Sequence, residues 1–127
     1  MSSVTCGKTE VVRQGEVYWL QGDVPEGSEA GYRRPWIVIQ NDEANDSGLA
    51  TTVLAAMTTN LRVADLGGNV EIPAGQGSLA RASVVLVSQL ETIDRRFLPG
   101  PSGIVARDLV RRIAAGIQAL VEPVDPV

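Results

Sequence analysis

The stretch 31–42, "GYRRPWIVIQND", sets two arginines and a proline directly before four consecutive apolar residues. A guanidinium stays charged at ordinary pH and offers five N–H donors in a planar fork, a shape suited to phosphate or carboxylate oxygens. Arg33 and Arg34 are therefore either solvated charge at the mouth of a buried strand or, for one of them, a group that meets an anion. The remaining chemistry is bounded by an absence, since the chain contains no histidine. Ser/His and Cys/His nucleophile systems, His acid–base pairs and nearly all zinc sites are removed with it. Catalysis here has only carboxylates, arginine, lysine, hydroxyls and backbone groups to draw on.

The elements that would position such groups are mostly strands. "VVRQGEVYWL" (residues 11–20) is rich in valine and aromatics and predicts a first strand, with a bend or bulge at Gly15. Residues 21–31, with three glycines and a proline among polar side chains, predict a loop. Trp36–Gln40 is a continuous apolar strand, closed by the turn-like segment 41–48. Thr51–Met57 and the alternating Val70-Glu71-Ile72 predict further strands around a polar loop at 58–69, and Ala82–Gln89 a buried one. After the breaking segment "LPGPSG", Leu109, Ile113, Ile117 and Leu120 recur at helical spacing until Pro123. Strand spacing of this kind predicts an antiparallel meander or small barrel with one C-terminal helix, and not βαβ units. The expected organisation is a tail at 1–10, one domain at 11–122 and a short tail at 123–127.

Composition narrows the setting. The chain of 127 residues is 44% apolar, enough for one real core, and only five residues are aromatic, so Val, Ile, Leu and Ala must carry the packing. Cys6 is the lone cysteine, the first ten residues lack an apolar stretch, and no apolar run approaches membrane-spanning length, which together predict a cytoplasmic protein. A net charge of −4 argues against sequence-independent duplex DNA binding. It leaves room for a local basic groove drawn from Arg34, Arg62, Arg81, Arg95 and Arg96, with Trp19 or Tyr32 as stacking platforms.

Several segments resemble, in order, one family. "RQGEVYWL", "GSEAGYRRPWIVIQND", "TTVLAAMT", "NVEIP" and "GSLARASVVLVSQLETIDRRFL", followed by a closing helix, are similar to the MazF/PemK toxins of bacterial toxin–antitoxin systems. The resemblance covers about residues 12–121. Its most specific parts are Gly27-Ser28-Glu29 followed by Arg34-Pro35, and Ser88-Gln89 through Ile93-Asp94. It implies a homodimeric SH3-like small β-barrel with a C-terminal helix. It further implies an endoribonuclease that cuts single-stranded RNA without metal or other cofactor, leaving a 2′,3′-cyclic phosphate and a 5′-hydroxyl. A MazE-like antitoxin would silence it with an acidic, partly disordered segment, which must also carry apolar anchors because the toxin is itself acidic. By the same resemblance Arg34 and Thr58 form the catalytic pair and Glu29 is a helper carboxylate. Ser28, Thr59, Asn60, Arg81, Ser83 and Gln89 are the expected RNA contacts. Asn69 stands where some relatives carry a histidine, and the loops at 21–31 and 59–68, which would choose the RNA sequence, match poorly.

The implied chemistry can be checked against the residues. Forming a cyclic phosphate needs a base for the 2′-hydroxyl, stabilisation of phosphorane charge, and a proton for the departing 5′-oxygen. Arginine supplies the second well, and a threonine hydroxyl can donate to another phosphate oxygen. Arginine is a poor base, with a pKa above roughly 12, so Glu29 is the base on offer, or the base stays unassigned with Arg34 as stabiliser and acid. Competing readings are a non-nucleolytic poison like the gyrase inhibitor CcdB, which shares this barrel type, and a catalytically degenerate binding module. The Gly-Ser-Glu, Arg-Pro, Thr order favours the ribonuclease.

Overall fold

A computed structural model describes residues 11–21 and 33–126. Six antiparallel strands form one curled sheet: β1 (Glu16–Gln21), β2 (Arg33–Val38), β3 (Thr51–Thr58), β4 (Val70–Ile72), β5 (Ser83–Asp94) and β6 (Gly103–Ile104). Their spatial order is β4-β5-β3-β2-β1-β6, so β5 inserts between β3 and β4 and the arrangement is not a simple meander. A half-barrel results. Its two edges approach through the 3-10 turn Gln76–Ser78, where the Ser102 hydroxyl donates to both Gly77 O (3.1 Å) and Val17 O (3.3 Å).

Alternation along the strands sorts side chains onto two faces. One face carries Val17, Ile37, Met57, Val85 and Val87 and is covered by α2 (Arg107–Val121) through Leu109, Val110 and Ile113. The other carries Tyr18, Val38 and Leu54, with Leu20, Trp36 and Ile93 partly buried beside them. The helix starts without a side-chain cap of its own, and the Gln76 side chain accepts from the Ala106 N–H (2.8 Å) instead. Asp108 in the first turn suits the positive end of the helix dipole. Leu120, expected on the apolar stripe, is exposed together with Val121, because the last turn has no sheet beneath it.

Gly116 faces the loop between β3 and β4, and a Cβ there would overlap the Gly68 carbonyl oxygen. Backbone therefore packs on backbone, and the loop lies flat against the helix. Asn69 fixes the same loop from its other side. Its amide donates to Val63 O (2.9 Å) and its oxygen accepts from the Val87 N–H (3.1 Å).

Four boundaries depart from expectation. β2 begins at Arg33, so both arginines and Pro35 belong to the strand and do not precede it. β5 continues five residues beyond Gln89. It does so across an irregularity where Ala55 pairs Leu90 but Ala56 pairs Leu86, and the extra residues 87–89 re-aim the strand. The segment expected to be a turn at 41–48 contains a one-turn helix, α1 (Asp42–Asn45), capped by Asn41, which accepts from the Ala44 N–H (2.9 Å). The first strand begins only after Gly15, whose φ of +95° makes the expected bend.

Candidate active site

β2 and β3 pair as Trp36–Ala56, Ile37–Ala55 and Val38–Leu54. Carrying that register two residues further sets Arg34 opposite Thr58, on the same face as Trp36. The guanidinium confirms the approach: Arg34 Nε and Nη2 donate to Met57 O at 3.4 and 3.2 Å, one residue from Thr58. Its Cζ lies 5.7 Å from the centroid of the Trp36 ring, so a cation–π contact holds the other side of the arm. The Nε/Nη2 edge is thereby occupied, while the Nη1/Nη2 end of the fork has no partner among the described residues. An anion would be met end-on.

Thr58 is half-buried, and its hydroxyl oxygen accepts from the Asn60 N–H (3.2 Å). That contact uses a lone pair and leaves the hydroxyl hydrogen to donate elsewhere. Thr59 and Asn60 follow on the exposed surface, and the Asn60 side chain accepts from the Arg62 N–H (3.1 Å), capping the 3-10 turn Leu61–Val63. Arg81, exposed just before β5, lies at the same end of the sheet, because Val84 pairs with Thr58. Arg34, Thr58, Thr59, Asn60 and Arg81 are thus brought to one end.

Other expected contacts lie elsewhere. Ser83 is 2% exposed, pairs with buried Ile72 on the helix-covered side, and donates its hydroxyl to Arg81 O (3.1 Å). It has no surface to offer RNA. Gln89 is exposed, but on the irregular part of β5 beside Ala55 and Ala56, further along the sheet. Ser28 and Glu29 lie outside the described residues, as does Tyr32.

The single groove of five arginines is not built. Arg95 and Arg96 follow Asp94, which pairs with Thr51 at the opposite end of β3, roughly 23 Å from Thr58 at strand rise. Arg95 donates to Asn45 O and Arg96 to both Asp94 oxygens, so these side chains serve that end. Antiparallel pairing carries them there, which linear spacing does not reveal. Arg33 is exposed and donates to Trp19 O (3.3 Å).

Glu71 was not singled out by its sequence context. It pairs with Val84, which pairs with Thr58, so this exposed carboxylate stands in the same cross-strand row as Thr58 and Arg34. The alternation of Val70-Glu71-Ile72 was the available signal. Among the described residues no group of three His, Cys, Asp or Glu is arranged to hold a metal ion. An apolar groove of about 310 Å³ between α2 and the end of β2, lined by residues such as Ile37, Ile39, Val110, Ile113 and Ile117, contains no titratable side chain. No helix among the described residues is long and apolar enough to cross a membrane.

Comparison with known proteins agrees with this architecture. Residues 13–121 match the family described as PemK-like, MazF-like toxin of type II toxin–antitoxin system. The chain is 36% identical over 112 residues to endoribonuclease MazF6 of Mycobacterium tuberculosis, covering 88% of this chain and 98% of that protein. It is 40% identical over 88 residues to endoribonuclease EndoA of Bacillus subtilis, covering 69% and 75%. The fold is shared with a mycobacterial endoribonuclease in complex with its cognate antitoxin, at a TM-score of 0.68, 20% identity and coverage of 91% and 99%. It is shared also with MazE–MazF of Deinococcus radiodurans, at a TM-score of 0.67, 21% identity and coverage of 87% and 96%. A half-barrel with a closing helix, matched over nearly its whole length by that family and by relatives above 35% identity, belongs to the PemK-like, MazF-like toxins of type II toxin–antitoxin systems.

Proposed function

We propose that this toxin-family member is an endoribonuclease that cleaves single-stranded RNA by attack of a 2′-oxygen on the adjacent phosphorus, with Arg34 and Thr58 as the groups that meet the phosphate. The observation that carries this reading is the pairing of an arginine fork with a threonine hydroxyl, where neither the Nη1/Nη2 end nor the hydroxyl hydrogen has a partner among the described residues. The 2′-hydroxyl gives its proton to a carboxylate, and its oxygen bonds to phosphorus. Arg34 and Thr58 stabilise the charge that gathers on the non-bridging oxygens. The bond to the 5′-oxygen then breaks, that oxygen takes a proton for which Arg34 is the nearest donor, and a 2′,3′-cyclic phosphate and a 5′-hydroxyl remain. Glu29 and Glu71 are the carboxylates this reading leaves for the base.

Thr59, Asn60, Arg81, Gln89 and Ser28 are the RNA contacts of the proposal, and Ser83 drops out of it. No cofactor is required, since electrostatic stabilisation comes from the guanidinium. The partners are the RNA, a cytoplasmic antitoxin that competes for the same face, and a second copy of the chain. The apolar groove along α2, continued by exposed Leu120 and Val121, offers that copy a surface, and light scattering should give twice 13.5 kDa.

The decisive experiment uses long single-stranded RNA with a chelator present and maps the ends. Folded Arg34→Ala should cleave at least about a hundredfold more slowly, the cost of about 3–4 kcal/mol that follows loss of a donor to transition-state charge. Cleavage by Arg34→Ala at the wild-type rate would falsify the assignment. Glu29→Gln and Glu71→Gln in the same assay identify the base.

A further inference from the structure

Pro35 sits inside a paired strand that has neighbours on both sides, a place from which proline is ordinarily excluded. The hydrogen-bond ladder shows what it does there. The Ile39 N–H donates to Val53 O (2.9 Å). Hydrogen-bonded positions alternate in an antiparallel pair, so Ile37–Ala55 is of the same kind, and carrying the register two residues further puts Pro35 opposite Met57 at another such position. At the last of these, residue 35 would give its N–H to the Met57 carbonyl, and proline has none. That carbonyl accepts from Arg34 Nε and Nη2 in its place.

We infer that Pro35 is a positioning residue: by withholding a backbone donor, it opens the Met57 carbonyl to the Arg34 guanidinium and thereby fixes the end-on orientation toward the phosphate. A side chain as long as arginine loses much rotamer freedom when held, so an anchor built into the ladder lowers what must be ordered when RNA arrives. The ring of Trp36 supports the arm but does not choose which edge of the fork is free. The Met57 carbonyl makes that choice. The inference rests on the proposed role of Arg34.

The test restores the missing donor. Pro35→Ala supplies an N–H at position 35, which closes the ladder bond to Met57 and displaces the guanidinium. The kcat for RNA cleavage should fall about tenfold with KM within about twofold, because orientation and not encounter is lost. The Tm should not fall, since a ladder bond is gained. The new amide should exchange slowly with solvent, and the Arg34 Nε–H resonance should move. Placing lactic acid at position 35 removes the ring but still offers no N–H, and it should bring kcat back to within about threefold of wild type.

Full activity in Pro35→Ala overturns the inference. So does a lactic acid variant as slow as Pro35→Ala, which would make the ring itself the important part. These outcomes are separable from failure of the functional reading. Wild-type cleavage by Arg34→Ala removes the arginine's role, whereas an inactive Arg34→Ala beside a fully active Pro35→Ala removes only this one.

Discussion

The two ends of β3 carry similar side chains and use them in opposite ways. At the Thr51 end, Asn45 is 1% exposed and its oxygen accepts from Gln40 Nε2 (2.9 Å) and the Thr52 hydroxyl (2.9 Å). Its own amide donates to Gln40 O (2.9 Å) and Asp42 Oδ1 (3.3 Å), and Arg95 caps its carbonyl. All four side-chain contacts of this asparagine are made within the chain. At the Thr58 end, the threonine hydroxyl hydrogen and one end of the Arg34 fork have no use among the described residues. A closed polar network specifies a fold, while donors held in place but left over specify a ligand.

The comparison breaks if the closed end affects the reaction or the open end affects stability. The largest effect is expected from Asn45→Ala, which removes the acceptor of the buried Thr52 hydroxyl and leaves Gln40 Nε2 only its bond to Thr51 O, and should cost about 2–3 kcal/mol. Thermal unfolding should show a Tm lower by roughly 10 °C, with the cleavage rate per folded molecule unchanged at a permissive temperature. Thr58→Val comes next and should do the reverse. Removing one donor to transition-state charge should slow cleavage about a hundredfold, while the Tm moves little because valine suits the half-buried strand end. A Thr58→Val enzyme that loses stability but not rate would assign the hydroxyl to the scaffold.

The smallest effect sharpens the electrostatic side of the closed end. The Arg96 guanidinium and N–H beside Asp94 hold its carboxyl below the ordinary 3.8. A depressed folded-state value contributes stability above the unfolded pKa of 3.8, lost as pH falls through the lower folded one. Wild type and Asp94→Asn should therefore differ in Tm near neutral pH and converge in strong acid. A difference that persists at low pH would point to packing and not charge.

Strands with plain signals were legible from the sequence. Thr51–Met57 begins with β-branched residues after a turn, Val70-Glu71-Ile72 alternates, and both are strands, the second with the expected half-exposed alternation. The helix was legible from its spacing, though not that its last turn lacks cover. What failed needed pairing information. Ser83 looks like a polar strand position until its register with Ile72 turns it inward. Arg95 and Arg96 look near Arg81 in the chain until antiparallel β5 carries them to the other end of β3. β2 was started too late because proline reads locally as a boundary, and only the ladder shows why a strand contains one. Asn69 looked like a bare substitution for a histidine, yet both ends of its amide are spent on joining the loop to β5.

The loop between β3 and β4 is pinned at its start by the Thr58–Asn60 turn and at its finish by Asn69 and the backbone contact of Gly68 with Gly116. Between those pins, Leu61, Arg62, Asp65 and Leu66 are exposed, and neither core includes them. Such a segment behaves as a cassette. Its exposed side chains can be rewritten by mutation without moving Thr58 or loosening the helix, so on the proposed function surface recognition can diversify while the pair proposed to meet the phosphate is inherited unchanged. Gly116, buried and far from Arg34 along the chain, is the residue that evolution must keep small for this freedom to exist.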